Sequence, residues 1–589
     1  MSGDSLMSGS LVVADYVVFA LMLVVSAAVG FYYAWVSRSQ ESSTDFLIAG
    51  RRLTALPVSL SLTASFMSSI TVLSNPAEVY CYGAIFVYFG LAYILAMVVI
   101  SEVFLPVFYR LALISTYEYL ELRFNRATRL LGTVLFIVQT ILYTGIVIYG
   151  PALALSQVTD LDLWSGIIST GIVCTLYCTL GGLKAVVWTD VFQVIMLAGY
   201  LAVIIRSVIS QGGVVTVISD SQQGGRLNLL DFDINPQRRH TFWTTVIGGT
   251  FGYITVYGTN QSQVQRYVSC KSITHARVAL YINLLGLFSF LLGSVFAGMC
   301  LYSVYKNCDP WTAGLVSAPD QLMPYMVIDM LTDYPGLPGL FFASVYSGSL
   351  STVSSSINAL AAVTLEDFIK PYTNMSEKHL FWMSKGLSFF YGVLCITMGR
   401  LASVMGGMMQ AGVIVSGVIG GPLLGLFTLG ILCPLANSKG ALSGLVSGLA
   451  ASLCVSLEAL MYPSPPTMTR PLSLTTEGCN FTTTHSLNWT TTALPTESSS
   501  ITTAPLQNKN WHSPSYLYFC LIGAVTSVSV GVIVSLFTGK EIYSVAGKHH
   551  LTKNGEKKVG NINAAFCDTE MAFTGSIPTF IPSNGNYFL

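Results

Sequence analysis

Long apolar stretches alternate with short polar segments along most of this chain. A helix needs about 20 apolar residues to cross the hydrocarbon layer of a membrane. Stretches of this kind lie near residues 12–36, 55–80, 83–109, 129–154, 163–181, 189–209, 241–260, 276–304, 338–366, 380–402, 407–433, 440–462 and 514–538. The pattern predicts an all-α membrane protein with about 13 transmembrane helices. The first apolar run is too long for a signal-peptide core and has no basic flank, so we predict that it is retained.

Composition supports a membrane protein and excludes several other classes. Of the 589 residues, 52% are hydrophobic and 10% are charged. Soluble domains contain roughly a quarter charged residues, so much of this surface must face lipid. The net charge is zero, which argues against a nucleic-acid partner. No His/Cys group has metal-ligand spacing, and no nucleophile–base pair, phosphate loop or paired carboxylates stand out, so we expect neither an enzyme nor a bound cofactor.

Basic residues predict the orientation of the chain in the membrane. With the N-terminus outside, 20 of the 28 Lys and Arg residues fall in cytoplasmic segments, as the positive-inside rule requires. The Ser-, Thr- and Pro-rich loop 463–513 is then extracellular, and its sequons predict glycosylation at Asn480 and Asn488. Asn260 and Asn374 also begin sequons, but both lie at cytoplasmic ends, so we expect them to be unmodified.

Two predicted extracellular loops hold one cysteine each, Cys308 and Cys479. An oxidising compartment favours a disulfide between them, although sequence alone does not place them close together. The tail 539–589 is polar, and we predict that it is disordered and cytoplasmic. It ends in Asn-Tyr-Phe-Leu, a type of peptide that adds a strand to a PDZ domain, whereas a tail without a partner is the simpler alternative.

The second predicted span has a sequence that opposes a continuous helix. Hydroxyl side chains crowd the segment from Ser61 to Thr71, and Asn75-Pro76 follows. Serine and threonine compete for backbone hydrogen bonds, and proline removes a donor. A break here frees carbonyl groups from Met67 to Ile70, and free carbonyls at membrane depth are tolerated where they line a cavity or bind something. Sodium, a hard cation, suits such oxygens.

The seventh span has a similar interruption in Ile247-Gly-Gly-Thr-Phe-Gly-Tyr253. Five spans separate the two interruptions, so the second set of helices enters the membrane from the opposite side. Matched interruptions in inverted halves indicate the central site of a transporter. We therefore predict two inverted five-helix repeats, helices 2–6 over 55–209 and helices 7–11 over 241–433. The remaining predicted parts are an extracellular N-terminus (1–11), a peripheral first helix (12–36) and helices 12 and 13 (440–538).

The ninth span carries a stripe of hydroxyl groups. Ser347, Ser351 and Ser355 lie four residues apart on one helical face, with Thr352 beside them. Helix packing alone explains many small polar residues in membrane helices. Eight Ser and Thr residues within the thirteen positions 344–356 exceed what packing needs, and they offer the neutral oxygens that sodium takes.

The site for an anion is less visible in the sequence. No Lys or Arg lies deep within a predicted span, so a carboxylate must bind to half-helix N-termini, hydroxyls and amides. Gln139 and Tyr143 lie one turn apart in the fourth span and are candidates, with an interhelical hydrogen bond as the alternative. Asp190 opens the sixth predicted span, either as an acid favoured by the helix dipole or as a group that attracts a cation.

These segments resemble the sodium/solute symporters and, among them, the sodium-coupled monocarboxylate transporters. The resemblance covers about the first 540 residues. It rests on Ser61-Leu-Thr-Ala-Ser-Phe-Met-Ser, Phe104-Leu-Pro-Val-Phe-Tyr, Ser115-Thr-Tyr-Glu-Tyr-Leu-Glu-Leu-Arg-Phe-Asn, Gln139-Thr-Ile-Leu-Tyr-Thr-Gly, Gly181-Gly-Leu-Lys-Ala-Val-Val-Trp-Thr-Asp, Asn260-Gln-Ser-Gln-Val-Gln-Arg-Tyr and Leu350-Ser-Thr-Val-Ser-Ser-Ser-Ile-Asn.

The resemblance implies a leucine-transporter-type fold that works by alternating access, in a plasma membrane that is apical in epithelia. One sodium then lies between the broken helix and the ninth span. Its implied ligands are the carbonyls of Met67, Ile70 and Gly348 and the hydroxyls of Ser351 and Thr352. Asp190 matches a family aspartate near the sodium path. The implied substrates are lactate, pyruvate, propionate, butyrate and nicotinate, and we expect them beside Ser68, Thr71, Gln139, Tyr143 and Thr250.

Other branches of the same family are the alternatives, either the iodide and anion transporters or the vitamin transporters. The iodide branch shares most of these motifs, including Tyr143, but it carries glutamine where Thr71 stands here. Asn75 and Cys81 replace the threonine and arginine that the monocarboxylate branch leads us to expect. Both positions follow the break, where substitutions bear on substrate range or affinity.

Overall fold

The computed structural model describes residues 11–36, 43–111, 113–159, 162–195, 198–402, 408–461, 469, 471–479 and 514–539. Their α-helices are α1 (Val13–Val36), α2 (Ser43–Ile48), α3 (Ala55–Phe66), α4 (Asn75–Tyr82), α5 (Phe89–Val99), α6 (Leu105–Leu111), α7 (Glu118–Arg123), α8 (Arg126–Val158), α9 (Leu163–Ile195), α10 (Ala198–Ser210), α11 (Val214–Gln223), α12 (Gly249–Ile254), α13 (Gln261–Val268), α14 (Ile273–Tyr305), α15 (Leu322–Leu331), α16 (Leu337–Thr364), α17 (Glu377–Ala402), α18 (Met408–Leu432), α19 (Ser438–Met461) and α20 (Phe519–Thr538). Both predicted glycosylation sites and the C-terminal tail beyond 539 lie outside the described residues.

The second predicted span is broken in the structure. The helix α3 ends at Phe66, Met67 leaves the helical conformation with φ −73° and ψ 62°, and the chain resumes in the π-helical turn Ile70–Ser74 before α4. The two halves are bent by 61°. Pro76 lies directly after the π-helical turn, where its missing amide hydrogen removes one backbone donor from the helical segment. The hydroxyl-rich sequence therefore produces the interruption that it predicts.

The seventh predicted span departs from regular helix in another way. Two π-helical turns, Thr244–Gly248 and Thr255–Thr259, flank the short helix α12. Insertions of this kind concentrate at functional sites in other proteins. The backbone becomes extended at Asn260, whose side chain accepts a hydrogen bond of 2.9 Å from the Ser262 amide and so caps α13. Asn260, which we expect to be unmodified, therefore stabilises the start of α13.

Fewer helices in the described part of the chain are suited to cross a membrane than the predicted count requires. Within the described ranges, eight helical segments are long and apolar enough to cross a membrane, or up to ten if each of two bent pairs is one span. The predicted count of about 13 is therefore not confirmed. One reason is that α16 is 28 residues long but carries the serine and threonine stripe, which lowers its apolar character.

The start of the sixth predicted span is wrong. Helix α9 runs from Leu163 to Ile195 and is interrupted at Gly182, whose φ of 60° and ψ of −158° suit glycine. The helix resumes directly after this glycine, so Asp190 lies inside a helix instead of at its first turn. The interpretation of Asp190 as an acid at a helix N-terminus is therefore wrong, because the turn comes eight residues earlier.

The helices form two packed groups that meet at the break. Helix α14 packs on α3, α4 and α5, and α12 packs on α5. In the second group α16 and α17 each pack on α8 and α9. Separately, α18, α19 and α20 pack against one another. The two groups meet where α16 packs on α3. The hydroxyl stripe of α16 therefore faces the broken helix.

A buried ion pair fixes the far end of α16. The helix continues through the π-helical turn Leu365–Ile369, in which Asp367 is buried. Arg129 of α8 donates from Nε to Asp367 Oδ1 at 2.9 Å, and Thr133 donates to Oδ2 at 2.5 Å. Ser115, before α7, donates to the same Oδ2 at 3.0 Å. These bonds hold α16 against α8 and so fix the register of the stripe.

The predicted cysteine pair forms a disulfide. Cys308 follows α14 and Cys479 lies at the end of the segment 471–479, and their Cα atoms are 4.9 Å apart. Because loop closure over 171 residues restricts the unfolded chain strongly, such a bond contributes more to stability than a short-range bond.

Candidate functional site

A glycine on α16 lets this helix touch the broken backbone of the second span. A Cβ at Gly348 would overlap the Met67 carbonyl oxygen, so glycine is required for the present approach. Thr352, one turn further along α16, donates to the Gly348 carbonyl at 3.2 Å and to the Ser65 carbonyl at 2.7 Å. Carbonyl oxygens from both helices and a threonine hydroxyl therefore meet at the break.

Ser351 adds a further hydroxyl to this group. Its side chain is fully buried, and its Oγ lies near the Asp190 carboxylate without a hydrogen bond of normal geometry to any described residue. A buried polar atom without a partner costs about 1–3 kcal/mol, so such atoms indicate a use beyond packing. Ile70, the fifth implied ligand, is buried and opens the π-helical turn on the other side of the break.

A second group of predicted residues surrounds the break on the side of α8 and α18. A Cβ at Gly412 would lie 3.2 Å from Ile70 Cδ1 and 3.6 Å from Tyr143 Cε2. The Ser68 hydroxyl is buried near Tyr143, again without a normal hydrogen bond in the described part of the chain. Thr71 Oγ1 donates back to the Ser68 carbonyl at 2.8 Å. Ser68, Thr71 and Tyr143 are thus brought together at the break.

The two remaining substrate candidates differ. Gln139 is buried one turn from Tyr143, and its Nε2 would lie 3.1 Å from a Cβ at Gly420 of α18. Thr250 donates its hydroxyl to the Val246 carbonyl at 2.6 Å, and the described contacts do not join it to the group around Tyr143. Gln139 therefore lies one helical turn from Tyr143, whereas the described contacts do not connect Thr250 to the break.

An aromatic cluster lies at the same break, and the sequence patterns did not predict it. Phe66, the last residue of α3, has its ring centroid 5.5 Å from that of Tyr253, 6.1 Å from Tyr257 and 6.2 Å from Tyr93. Tyr253 donates its hydroxyl to that of Tyr93 at 3.2 Å. The cluster joins the two interrupted spans through a mainly apolar surface. In the sequence, the one sign of it is that Tyr253 and Tyr257 are four residues apart, a spacing that places them on the same helical face.

A buried ion pair lies next to the hydroxyl stripe. Arg266 of α13 donates to Asp190 Oδ2 at 2.9 Å, and both side chains have no exposed surface. The same guanidinium donates to the hydroxyls of Ser65 and Ser355, and Ser61 donates to Asp190 Oδ2 at 2.5 Å. Two buried charges persist because these partners satisfy most of their hydrogen-bonding groups. Asp190 Oδ1, however, has no partner within the described ranges.

Ser65 connects the ion pair with the group at the break. Its carbonyl accepts from Thr352, and its hydroxyl accepts from Arg266. Arg266 lies beyond the seventh predicted span, which ends at residue 260, so it belongs to the basic residues that we predict in cytoplasmic segments. Hydropathy does not reveal that α13 folds back against α3, so the sequence did not predict that Arg266 is buried beside the site.

Comparison with known proteins places these features in a family. The model of the sodium:solute symporter family matches residues 46–448. The human sodium-coupled monocarboxylate transporter 1 is 59% identical over 552 residues, which cover 92% of this chain and 90% of that protein. The human sodium/iodide cotransporter is 48% identical over 536 residues, with coverages of 89% and 83%.

Solved structures give the same fold. A Na⁺-coupled sialic acid symporter in a substrate-bound, outward-open state superimposes with a TM-score of 0.71 at 22% sequence identity. The superposition covers 89% of this chain and 98% of that one. The fold predicted in the sequence analysis, an all-α leucine-transporter-type fold, is therefore confirmed.

Proposed function

This chain belongs to the sodium:solute symporter family, and from that membership we propose that it imports short-chain monocarboxylates together with sodium by alternating access. It is a sodium-coupled transporter of the membrane and not an enzyme. The proposed substrates are lactate, pyruvate, propionate, butyrate and nicotinate. Sodium acts as a co-substrate, and we propose no other cofactor.

The observation that carries the proposal is the meeting of α16 with the break after α3. We propose that sodium binds there between the carbonyl oxygens of Met67, Ile70 and Gly348 and the hydroxyls of Ser351 and Thr352. Hard oxygen donors suit sodium, and the buried Ser351 hydroxyl without a normal partner supports a bound cation. A site built from both helix groups responds to their relative position, which is what coupling requires.

The anion has a different set of partners. The half-helix that begins at Ile70 points its positive N-terminal end toward the break, which favours a carboxylate group. We propose that Ser68, Thr71, Gln139 and Tyr143 donate hydrogen bonds to this carboxylate. The aromatic cluster around Phe66 offers an apolar surface for a short alkyl or aromatic group. Thr250 is the weakest member of the proposed set, because the described contacts do not connect it to the group around Tyr143.

Asp190 is proposed to lie on the path by which sodium leaves its site. It is buried and is linked to Thr352 through Arg266 and Ser65, and its Oδ1 has no hydrogen-bond partner among the described side chains. A carboxylate in this position attracts a cation. When no cation is nearby, the Arg266 guanidinium balances the negative charge of Asp190.

We expect Gly348→Ala to raise the sodium concentration for half-maximal uptake by about tenfold, since overpacking costs about 1–3 kcal/mol and pushes α16 from the Met67 carbonyl. Gly386→Ala is the matched control, because a Cβ at Gly386 of α17 meets open space. Sodium activation curves of the two variants, at equal surface expression, check this prediction. Overlapping curves would mean that the close approach of α16 does not matter for sodium.

The transport proposal is tested by uptake in cells that express the chain. Labelled lactate, butyrate and nicotinate are each offered with sodium or with choline in its place, and iodide is offered in parallel. We expect sodium-dependent uptake of the three monocarboxylates and little uptake of iodide. Sodium-independent uptake, or uptake of iodide alone, would contradict the proposal. The second result would favour the iodide branch, whose human relative is 48% identical.

We propose that the N-terminus is extracellular and the C-terminus cytoplasmic in a plasma membrane, apical in epithelia. The disulfide between Cys308 and Cys479 supports an extracellular position for their loops, since disulfides persist in oxidising compartments. Glycosylation at Asn480 and Asn488 belongs to the same proposal, as they follow Cys479 closely. A PDZ domain remains the proposed partner of the C-terminal peptide.

A further inference from the structure

The outer end of α4 is capped by other segments of the chain. The last carbonyl groups of a helix lack partners within it. Here three of them each accept a hydrogen bond from elsewhere. These bonds run from Arg226 Nε to the Tyr80 carbonyl (3.2 Å), from the Leu472 amide to the Cys81 carbonyl (2.8 Å) and from Asn228 Nδ2 to the Tyr82 carbonyl (2.9 Å). The position of α4 therefore depends on groups that are distant in sequence.

One of these groups belongs to residues 471–479, which we call the strap. The disulfide joins its last residue to Cys308, just after α14. Two backbone bonds of 2.9 Å strengthen this junction, from the Asp309 amide to the Thr475 carbonyl and from the Gly478 amide to the Asn307 carbonyl. The strap thus runs from the end of α14 to the end of α4.

Side chains connect the same two helix ends. Tyr80 of α4 donates to Asp309 Oδ1 at 2.6 Å. The Arg226 guanidinium lies 3.9 Å from the ring centroid of Tyr302 of α14 and donates to the Ser473 carbonyl of the strap at 2.9 Å. Arg226 has no exposed surface. The ends of α4 and α14 and the strap therefore form one bonded unit.

We propose that the strap, locked by the Cys308–Cys479 disulfide, positions α4 by coupling it to α14. Together with the π-helical turn before it, α4 forms one short helical segment, Ile70–Tyr82, which is bent away from α3 at the break, and a helix this short depends on its neighbours for stability. Its stability and direction come from what it packs on and what caps it. The consequence for sodium rests on the proposed function, because α4 carries the half of the break that contains Ile70, whereas the coupling itself does not depend on transport.

Cys81 reports directly on this coupling. Its thiol is free and buried, and its carbonyl accepts the hydrogen bond from the strap. Intact cells are treated with a membrane-impermeant maleimide, and labelling of the peptide that contains Cys81 is followed by mass spectrometry. In a Cys308→Ser/Cys479→Ser variant we expect Cys81 to be labelled about tenfold faster, because local opening becomes easier once the constraint is lost.

A second pair of variants keeps the disulfide and changes one hydrogen bond. Leu472→Pro removes the amide that bonds to Cys81, whereas Leu472→Ala removes the side chain and keeps the amide. We expect faster labelling in Leu472→Pro than in Leu472→Ala, together with a several-fold higher sodium requirement for uptake. If the double serine variant fails to reach the cell surface, the comparison of Leu472→Pro with Leu472→Ala still tests whether the strap positions α4.

Equal protection of Cys81 in the parent, Leu472→Pro and any surface-expressed double serine variant would overturn the proposal. Faster labelling with an unchanged sodium requirement would also overturn it, because the strap would then cover α4 without positioning the break. If the parent transports no monocarboxylate, the proposed function fails, while the labelling comparison still tests the coupling.

Discussion

Replacing Ser351 and Thr352 together with alanine is expected to raise the sodium concentration for half-maximal uptake by at least about tenfold, with a smaller effect on surface expression. The change removes both hydroxyl ligands that we propose for sodium. It also removes the bonds from Thr352 to the carbonyls of Ser65 and Gly348, which hold α16 to the broken helix. Sodium activation of labelled lactate uptake, normalised to surface protein, measures the effect.

Two variants separate a ligand role from packing. Thr352→Ser keeps the hydroxyl and should stay within a few-fold of the parent. Ser349→Ala removes a hydroxyl of the same helix that is also buried but donates to the Val345 carbonyl, so its sodium requirement should be unchanged. If the double alanine variant keeps the sodium activation of the parent, the stripe serves only to pack α16.

Arg266→Gln is expected to abolish uptake and to lower surface expression strongly. It leaves the Asp190 carboxylate buried without its cation, and breaking one side of a buried ion pair costs about 3–5 kcal/mol. Arg277→Gln is the matched control: the Arg277–Glu102 pair is exposed by 41% and 52%, and pairs of this kind contribute about 0–1 kcal/mol. Surface biotinylation and uptake, measured on the same cells, separate loss of folding from loss of transport.

A doubly neutral variant distinguishes the two possible roles of Asp190. Asp190→Asn with Arg266→Gln removes both charges, so we expect surface expression to recover much of the loss seen in Arg266→Gln. Sodium activation should not recover, because the carboxylate that we propose on the sodium path is absent. A double variant with the sodium curve of the parent would mean that Asp190 only balances Arg266.

Local sequence rules were sufficient to predict the break and the stripe. The hydroxyl groups before Asn75-Pro76 oppose helix by their own chemistry, and the structure interrupts the helix after Phe66. The stripe follows from helical period alone. The predicted count of about 13 spans is not confirmed, and α16 and the π-helical seventh span are less apolar and less regular than a typical membrane-spanning helix.

Arg266 and the aromatic cluster depended on tertiary structure that local patterns do not contain. Burial of Arg266 follows from the extended backbone at Asn260 and the return of α13 against α3. Phe66, Tyr93 and Tyr253 come from three separate segments and meet because the two interrupted spans pack together. The hydropathy pattern places Arg266 only by the end of the seventh predicted span at residue 260. That end gives no sign that Arg266 is buried.

Concentrative uptake by the purified protein tests the central claim most directly. The chain is reconstituted in vesicles, and labelled lactate inside is measured over time with an inward sodium gradient, with equal sodium on both sides, or with potassium replacing sodium. Coupled symport predicts that the gradient drives lactate transiently above its equilibrium level, and that this excess disappears in the other two conditions. Lactate that only equilibrates, at the same rate in all three conditions, would contradict sodium-coupled transport by this chain.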